Sequence, residues 1–336
     1  MNDLLIFQCC KQISMKMAKE TRNQDVTIML GGIHTSITSF SSNKPTEMDS
    51  SYSVVSPECT LDLPPLPQRM PYKPLSGYLS GHLLACYLDY WVYRQHHTKD
   101  YQCWSLNLDT ASKKWSKMEP PLHALWFSSA VVSDDKFLIV GGSEVYSDNL
   151  RSMNGTVHVQ EYSLATKKWA SGVPLPYPLF EGCAVNTGSG VVVVGDFEGG
   201  FFNAYILDQG LWQPLSPTLF YHATPACASV TLNSEEVIIV ISGQNIEYFS
   251  FLHNKWMNMK PPNVPRSENK PPTLAMSSGR LIIAGGVDLE TVGVSDEYEI
   301  WDPVKKAWRT KNGKEYFGRV DHAQITLPRS YLQCCC

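Results

Sequence analysis

The sequence predicts an all-β chain folded as a closed six-bladed β-propeller, and three observations carry that prediction. A unit of apolar strand, loop, Tyr-bearing strand and closing Trp recurs, ending at Trp115, Trp169, Trp212, Trp256 and Trp308 at intervals of 54, 43, 44 and 52 residues. Periods in this range mark blades of four strands. The apolar runs are strand-sized and end in small residues: FLIVGG at 137–142 and LIIAGG at 281–286 are near-copies, TIMLGG at 27–32 is a third, and VVVVGD at 191–196 and VIIVISG at 237–243 are weaker ones. Finally, VDHAQITL at 320–327 resembles ATPACASVTL at 223–232, the inner strand of one unit, so the C-terminus supplies the inner strand that the first unit lacks.

In chain order, residues 1–25, with Lys, Gln, Ser and Met prominent, form a leader. Blade 1 takes residues 26–67 together with 318–328, a pairing across the seam that leaves the ring without loose edges. Blades 2 to 6 follow at 72–119, 124–174, 180–215, 222–260 and 270–311, and 329–336 is a Cys-rich tail. Blade 1 lacks a closing Trp, blade 2 has LLACY instead of a Gly pair, and blade 4 has one Gly. The Gly pairs permit positive φ where the chain turns out of the sheet. They are not phosphate cradles, because G-x-G-x-x-G is absent and no helical pattern follows them. Tyr162, Tyr205, Tyr248 and Tyr298 stand seven to ten residues before the closing Trp, and both aromatics are expected to pack blade on blade.

Over residues 26–327 this repeat resembles the kelch family. The resemblance implies a protein-binding scaffold. Family members often serve as substrate receptors of ubiquitin ligases or as actin-associated proteins, roles usually accompanied by a BTB, BACK or F-box domain, none of which is expected within these residues.

Composition excludes other classes. A net charge of -4 and a pI near 6.1, with Lys and Arg scattered, disfavour nucleic acid and anionic lipid as partners. No apolar run approaches the ~18 residues of a membrane-spanning helix. The opening MNDLLIFQCCKQ has no basic residue ahead of its apolar patch, so a cytoplasmic location is expected. Cys86 and Cys103 flank a 16-residue excursion and can face each other on neighbouring strands of blade 2. Left reduced, they fit the cytoplasm; joined, they imply an oxidising compartment and a secreted chain, as in some secreted animal kelch proteins that the pattern resembles. Cys183 and Cys227, at matching inner-strand positions, read as buried packing thiols. The sequon at Asn154 matters only in a secreted chain. The terminal QCCC is not a prenylation box, since Gln333 holds the fourth position from the end.

Function is expected where loops converge. In an antiparallel blade the start of the innermost strand and the end of the next lie on one face, around the channel mouth. That rim draws on Tyr72 and Lys73, Trp126 and Phe127, Phe180 and Glu181, Tyr221 and His222, Arg266 and Glu268, and Arg319, Asp321 and His322. Aromatic anchors mixed with both signs of charge suit recognition of another protein, without catalysis or a cofactor. Ser/Thr-rich loops at 33–52 and 143–156 border the same face. The alternative is enzymatic: sialic-acid mutarotases resemble the chain in having six kelch blades, and Arg266 or Arg319 would hold a carboxylate while Glu181 or His322 moved a proton. His222, His322 and Tyr221 also supply the residue types of the kelch copper radical oxidases, but those enzymes have seven blades and further domains.

Overall fold

The computed structural model describes residues 25–30, 33–34, 52–54, 59–67, 73–88, 101–144, 154–198, 204–222, 224–232, 234–268, 270, 272–277, 279–290, 293–312, 319–320, 323–331 and 333–334. Among them stand five antiparallel sheets of four strands, one of three, and three two-stranded ribbons. The innermost strands, Leu75–Leu79, Ser129–Ser133, Leu179–Thr187, Ala226–Leu232, Thr273–Ser277 and Ala323–Leu327, neighbour one another in that order and close on themselves. This is the six-bladed ring the repeat predicts.

Closure occurs where the sequence places it. Ala323–Leu327 pairs with Val26–Leu30 in antiparallel register, Val26 opposite Leu327 and Leu30 opposite Ala323, and Tyr52–Val54 adds the third strand. Gln324 then ties the seam to both neighbours: its side-chain amide donates to Leu274 O of blade 6 at 2.7 Å, and its backbone carbonyl accepts from Ser76 Oγ of blade 2 at 3.3 Å. Part of the segment read as a tail is paired with blade 1 and bonded to blade 2. Gln333–Cys334 pairs with Cys59–Thr60, and the Tyr331 hydroxyl donates to Asp109 at 2.7 Å while its ring meets Tyr78 edge-on.

The recurring Trp has a specific task. Every closing indole donates its N–H to a carbonyl in the segment that leaves the preceding blade: Trp115 to Pro64, Trp169 to Glu119, Trp212 to Val173, Trp256 to Ser216 and Trp308 to Lys260, at 2.7–3.3 Å. A large apolar body fills the space between sheets while its polar edge satisfies an otherwise orphaned carbonyl. In blades 2 to 6 one residue thus joins each blade to its predecessor.

A second repeated device is polar and buried. The third strands are Val159–Ser163, Asn245–Ser250 and Glu297–Asp302 in blades 3, 5 and 6, and each holds a buried amide or carboxylate: Gln160, Glu247 and Glu299. Each accepts backbone N–H groups from the linker entering its own blade: His123 N to Gln160 at 2.7 Å, Leu219 N and Phe220 N to Glu247 at 2.9 and 3.1 Å, Asn263 N and Val264 N to Glu299 at 2.6 and 3.4 Å. The linker backbones have no sheet partner, so these side chains complete their hydrogen bonding.

The Gly pairs act as expected. Gly142 has φ 98°, and a Cβ there would stand 2.3 Å from Ser128 Oγ and 2.7 Å from Trp126 O, so no other residue fits without moving backbone. In blade 2 the missing Gly pair lets the second strand run on to Leu88.

Among the described residues two disulfides cross the fold. Cys86 and Cys103 stand opposite each other on adjacent strands of blade 2 and are joined. Cys183 and Cys227 are also joined, which corrects their reading as separate packing thiols. Matching positions on consecutive innermost strands converge at the narrow axis, and their Cα atoms stand 5.9 Å apart. Disulfides persist in oxidising compartments, so the cytoplasmic expectation finds no support here. Among the described residues no helix is long and apolar enough to cross a membrane.

Candidate functional site: the channel mouth

The face that carries the linkers into each innermost strand surrounds a mouth cavity of about 220 Å³, lined by Lys73, Ser76, Ser129, Glu181, Cys183 and Gln324 among others. A wider space of about 630 Å³ opens toward the other face past Gly77, Asn186 and Ser229. The Cys183–Cys227 bridge lies on the wall of the mouth.

Backbone strain concentrates at this mouth. Ten described residues other than Gly have positive φ, and seven of them (Ser80, Asp134, Lys167, Gln209, Ser234, Asn254, Lys306) occupy hairpin turns on the opposite face, where such angles are ordinary. The other three are Lys73, Phe127 and Glu181, at φ 36°, 56° and 55°. They hold equivalent places in blades 2, 3 and 4, each two residues before the point where the innermost strand pairs regularly with its neighbour. In blade 4 the ladder is bulged there, between Phe180 and Cys183. Left-handed backbone at bulky residues costs on the order of 1 kcal/mol each, and persists where surrounding contacts over-determine it.

Those contacts are mutual. Lys73 Nζ donates to Glu181 Oε1 at 3.1 Å and stands 5.5 Å above the Phe127 ring. Glu181 N donates to Phe127 O at 3.3 Å, and Phe127 meets Phe180 edge-on at 5.3 Å. The ion pair is partly buried, with the Glu181 side chain 9% exposed. Next to this cluster, the Tyr221 hydroxyl donates to Asp196 Oδ2 at 2.6 Å. Burial, that hydrogen bond, and the negative charges of Asp196, Glu181 and Glu268 push the Tyr221 phenol up to about 12, so it remains a neutral donor. Tyr221 is nonetheless 58% exposed and available to a ligand.

Three residues predicted for the rim lie beneath it. Arg266 is fully buried: it pairs with Glu299, and its other donors reach Gly285 O at 3.0 Å and Val264 O at 3.3 Å. His222 is buried and its Nε2 bonds Glu247 Oε1 at 2.8 Å. Trp126 belongs to the core with Leu75, Phe137 and Trp169, its backbone paired with Ser143. All three follow directly on linkers that the buried side chains draw inward, so chain position puts them near the mouth while their side chains turn away from it. Glu268 is exposed. Arg319 lies in a short strand paired with His34, and Tyr72, Asp321 and His322 fall outside the described residues, as do most of the two Ser/Thr-rich loops.

Sequence reasoning missed Asp196, Gln160, Glu247 and Glu299. Asp196 had a signal, since it replaces the second Gly of the strand-end pair in blade 4. The buried acceptors did not: the letters EY recur, yet the buried residue precedes that pair in blade 3, is its Glu in blade 5, and follows it in blade 6.

Large exposed apolar side chains sharpen the picture. Leu122, Leu219, Tyr221 and Leu289 sit on linkers or loops of the mouth face, whereas Leu211, Leu252 and Val304 are scattered at single hairpin turns on the other.

No protein-family description matches the chain, and no curated protein does so. Solved structures do match, 350 chains of them, so the likeness identifies a widely used architecture. One, described as the structure of YjhT, superposes with a TM-score of 0.56 at 15% identity, over 74% of this chain and 85% of that one. At such identity the likeness establishes the β-propeller fold alone, and the kelch resemblance rests on the repeat in the sequence.

Proposed function

We propose that the protein is a binding module that recognises another protein through its mouth face, in an oxidising compartment. The observation that carries this reading is the strained, mutually braced cluster of Lys73, Phe127 and Glu181, with exposed Tyr221 beside it. A preorganised set of aromatic and charged groups, bordered by the exposed Leu219 and Leu289, is the composition of an interface centre with its rim. The two disulfides support the compartment.

The test is affinity capture from the extracellular fraction of the source tissue, using wild type, the double variant Leu219→Ser/Tyr221→Ala, and the opposite-face control Leu252→Ser. All three side chains are more than half exposed, so folding is spared. A protein retained by wild type and control but lost from the double variant is expected; equal retention by all three overturns the reading.

The enzymatic alternative, a mutarotase of an acidic sugar, is the weaker. Of the residues that reading names, Arg266 is held by Glu299 and Glu181 by Lys73, while His322 and the side chain of Arg319 lie outside the described residues. Saturation-transfer NMR with sialic acid separates the two readings, and no transfer is expected.

A further inference from the structure

Away from the axis, on the same face, blade 3 gathers two imidazoles and a carboxylate. His123 lies in the linker entering the blade, Glu144 follows the Gly pair that ends its second strand, and His158 immediately precedes its third. Nδ1 of His123 is 3.7 Å and Nε2 of His158 is 3.4 Å from the same Glu144 oxygen, and the three ligand atoms all lie within 4.8 Å of one another. The two rings are stacked, with centroids 4.0 Å apart and planes 10° from parallel.

The backbones that carry these side chains are fixed. Gln160, fully buried, grips His123 from both sides, accepting from its N–H at 2.7 Å and donating to its carbonyl at 3.1 Å. The His158 carbonyl accepts from Gly141 N at 2.9 Å, and Ser143, next to Glu144, exchanges two 2.8 Å hydrogen bonds with Trp126. The side chains themselves are 39%, 51% and 37% exposed for His123, Glu144 and His158, so an ion has direct access.

We infer that His123, Glu144 and His158 form a binding site for a zinc-class divalent ion, with its remaining coordination open to solvent. Two imidazole nitrogens and one carboxylate oxygen are a donor set that suits zinc, and sites with three protein ligands leave a fourth position for water or another molecule. At Zn–N and Zn–O lengths of about 2.1 Å, tetrahedral ligands sit about 3.4 Å apart. The two nitrogens stand 3.7 and 3.4 Å from the carboxylate oxygen, and the rings must turn out of their parallel stack before their in-plane lone pairs converge on one ion. Gln160 then serves as the positioning residue for the His123 arm.

The experiment uses the full chain with free thiols alkylated, because cysteines outside the disulfides also bind zinc. Isothermal titration with zinc chloride is run on wild type, His123→Ala, His158→Ala and Glu144→Gln, with circular dichroism confirming that each is folded. Cobalt(II) absorption provides a second readout sensitive to coordination geometry. We expect wild type to take up one equivalent with a micromolar or tighter Kd, each variant to bind at least 10-fold more weakly, and a four-coordinate cobalt spectrum seen in wild type alone. Wild type taking up no such equivalent, or variants retaining it with unchanged affinity, overturns the assignment.

Discussion

Replacing Arg266 by Ala tests whether this residue belongs to the rim or to the interior. The guanidinium is fully buried against Glu299 and also donates to Gly285 O at 3.0 Å and Val264 O at 3.3 Å. Truncation leaves the Glu299 carboxylate buried with only the N–H groups of Asn263 and Val264 for company. Breaking one side of a buried pair costs about 3–5 kcal/mol, most of it the penalty of an uncompensated charge. The lost hydrogen bonds to Gly285 O, Val264 O and, at 3.4 Å, Glu297 O fall within that figure rather than adding to it. Urea unfolding followed by fluorescence measures the loss. The double variant Arg266→Ala/Glu299→Gln removes the orphaned charge while Gln still accepts from Asn263 N, so its cost should be less than the sum of the two single changes. A single variant within about 0.5 kcal/mol of wild type, as expected of a surface residue, would refute the buried-pair reasoning and restore Arg266 to the rim.

Three further outcomes follow from the same geometry. Trp256→Phe keeps most of the apolar body but strands the Ser216 carbonyl that its indole meets at 2.7 Å, so urea unfolding should show a loss of about 1–3 kcal/mol; no measurable loss would mean that the indole hydrogen bonds are incidental. Intact mass before and after reduction should show the Cys86–Cys103 and Cys183–Cys227 bridges; replacing either pair by Ala should destabilise by about 3 kcal/mol for the 17-residue loop and about 4 for the 44-residue one. The Tyr221 phenol, pushed up to about 12, should titrate nearer its ordinary value in Asp196→Asn, read as the ultraviolet difference against Tyr221→Phe. Since this raised pKa favours the neutral phenol in the folded state, its contribution to stability is complete below about pH 10 and disappears as pH rises toward 12.

The repeat was legible because each blade solves the same local problem with the same letters. An apolar strand, a Gly pair and a Trp are each demanded by pleat, turn and interblade packing, and these constraints act over a few residues or one blade. The seam was legible for the same reason, as the strand at 323–327 has the pattern of an inner strand without a blade of its own. The mouth was legible only in part: Lys73, Phe127, Glu181 and Tyr221 stand there, while Trp126, His222 and Arg266 face inward.

What the sequence by itself determined is therefore the ring: its class, its six blades and its closing strand, all written in short-range periodicity. Only the tertiary structure decided which way each side chain turns at the mouth, because that depends on buried acceptors reaching back tens of residues to hold a linker, as Glu247 and Glu299 do. It also decided that Cys183 and Cys227 meet, and that His123, Glu144 and His158 share one spot. Each of these contacts joins residues from different strands or linkers, and their proximity follows from how strands pair and how closely blades converge on an axis, distances that periodicity does not encode.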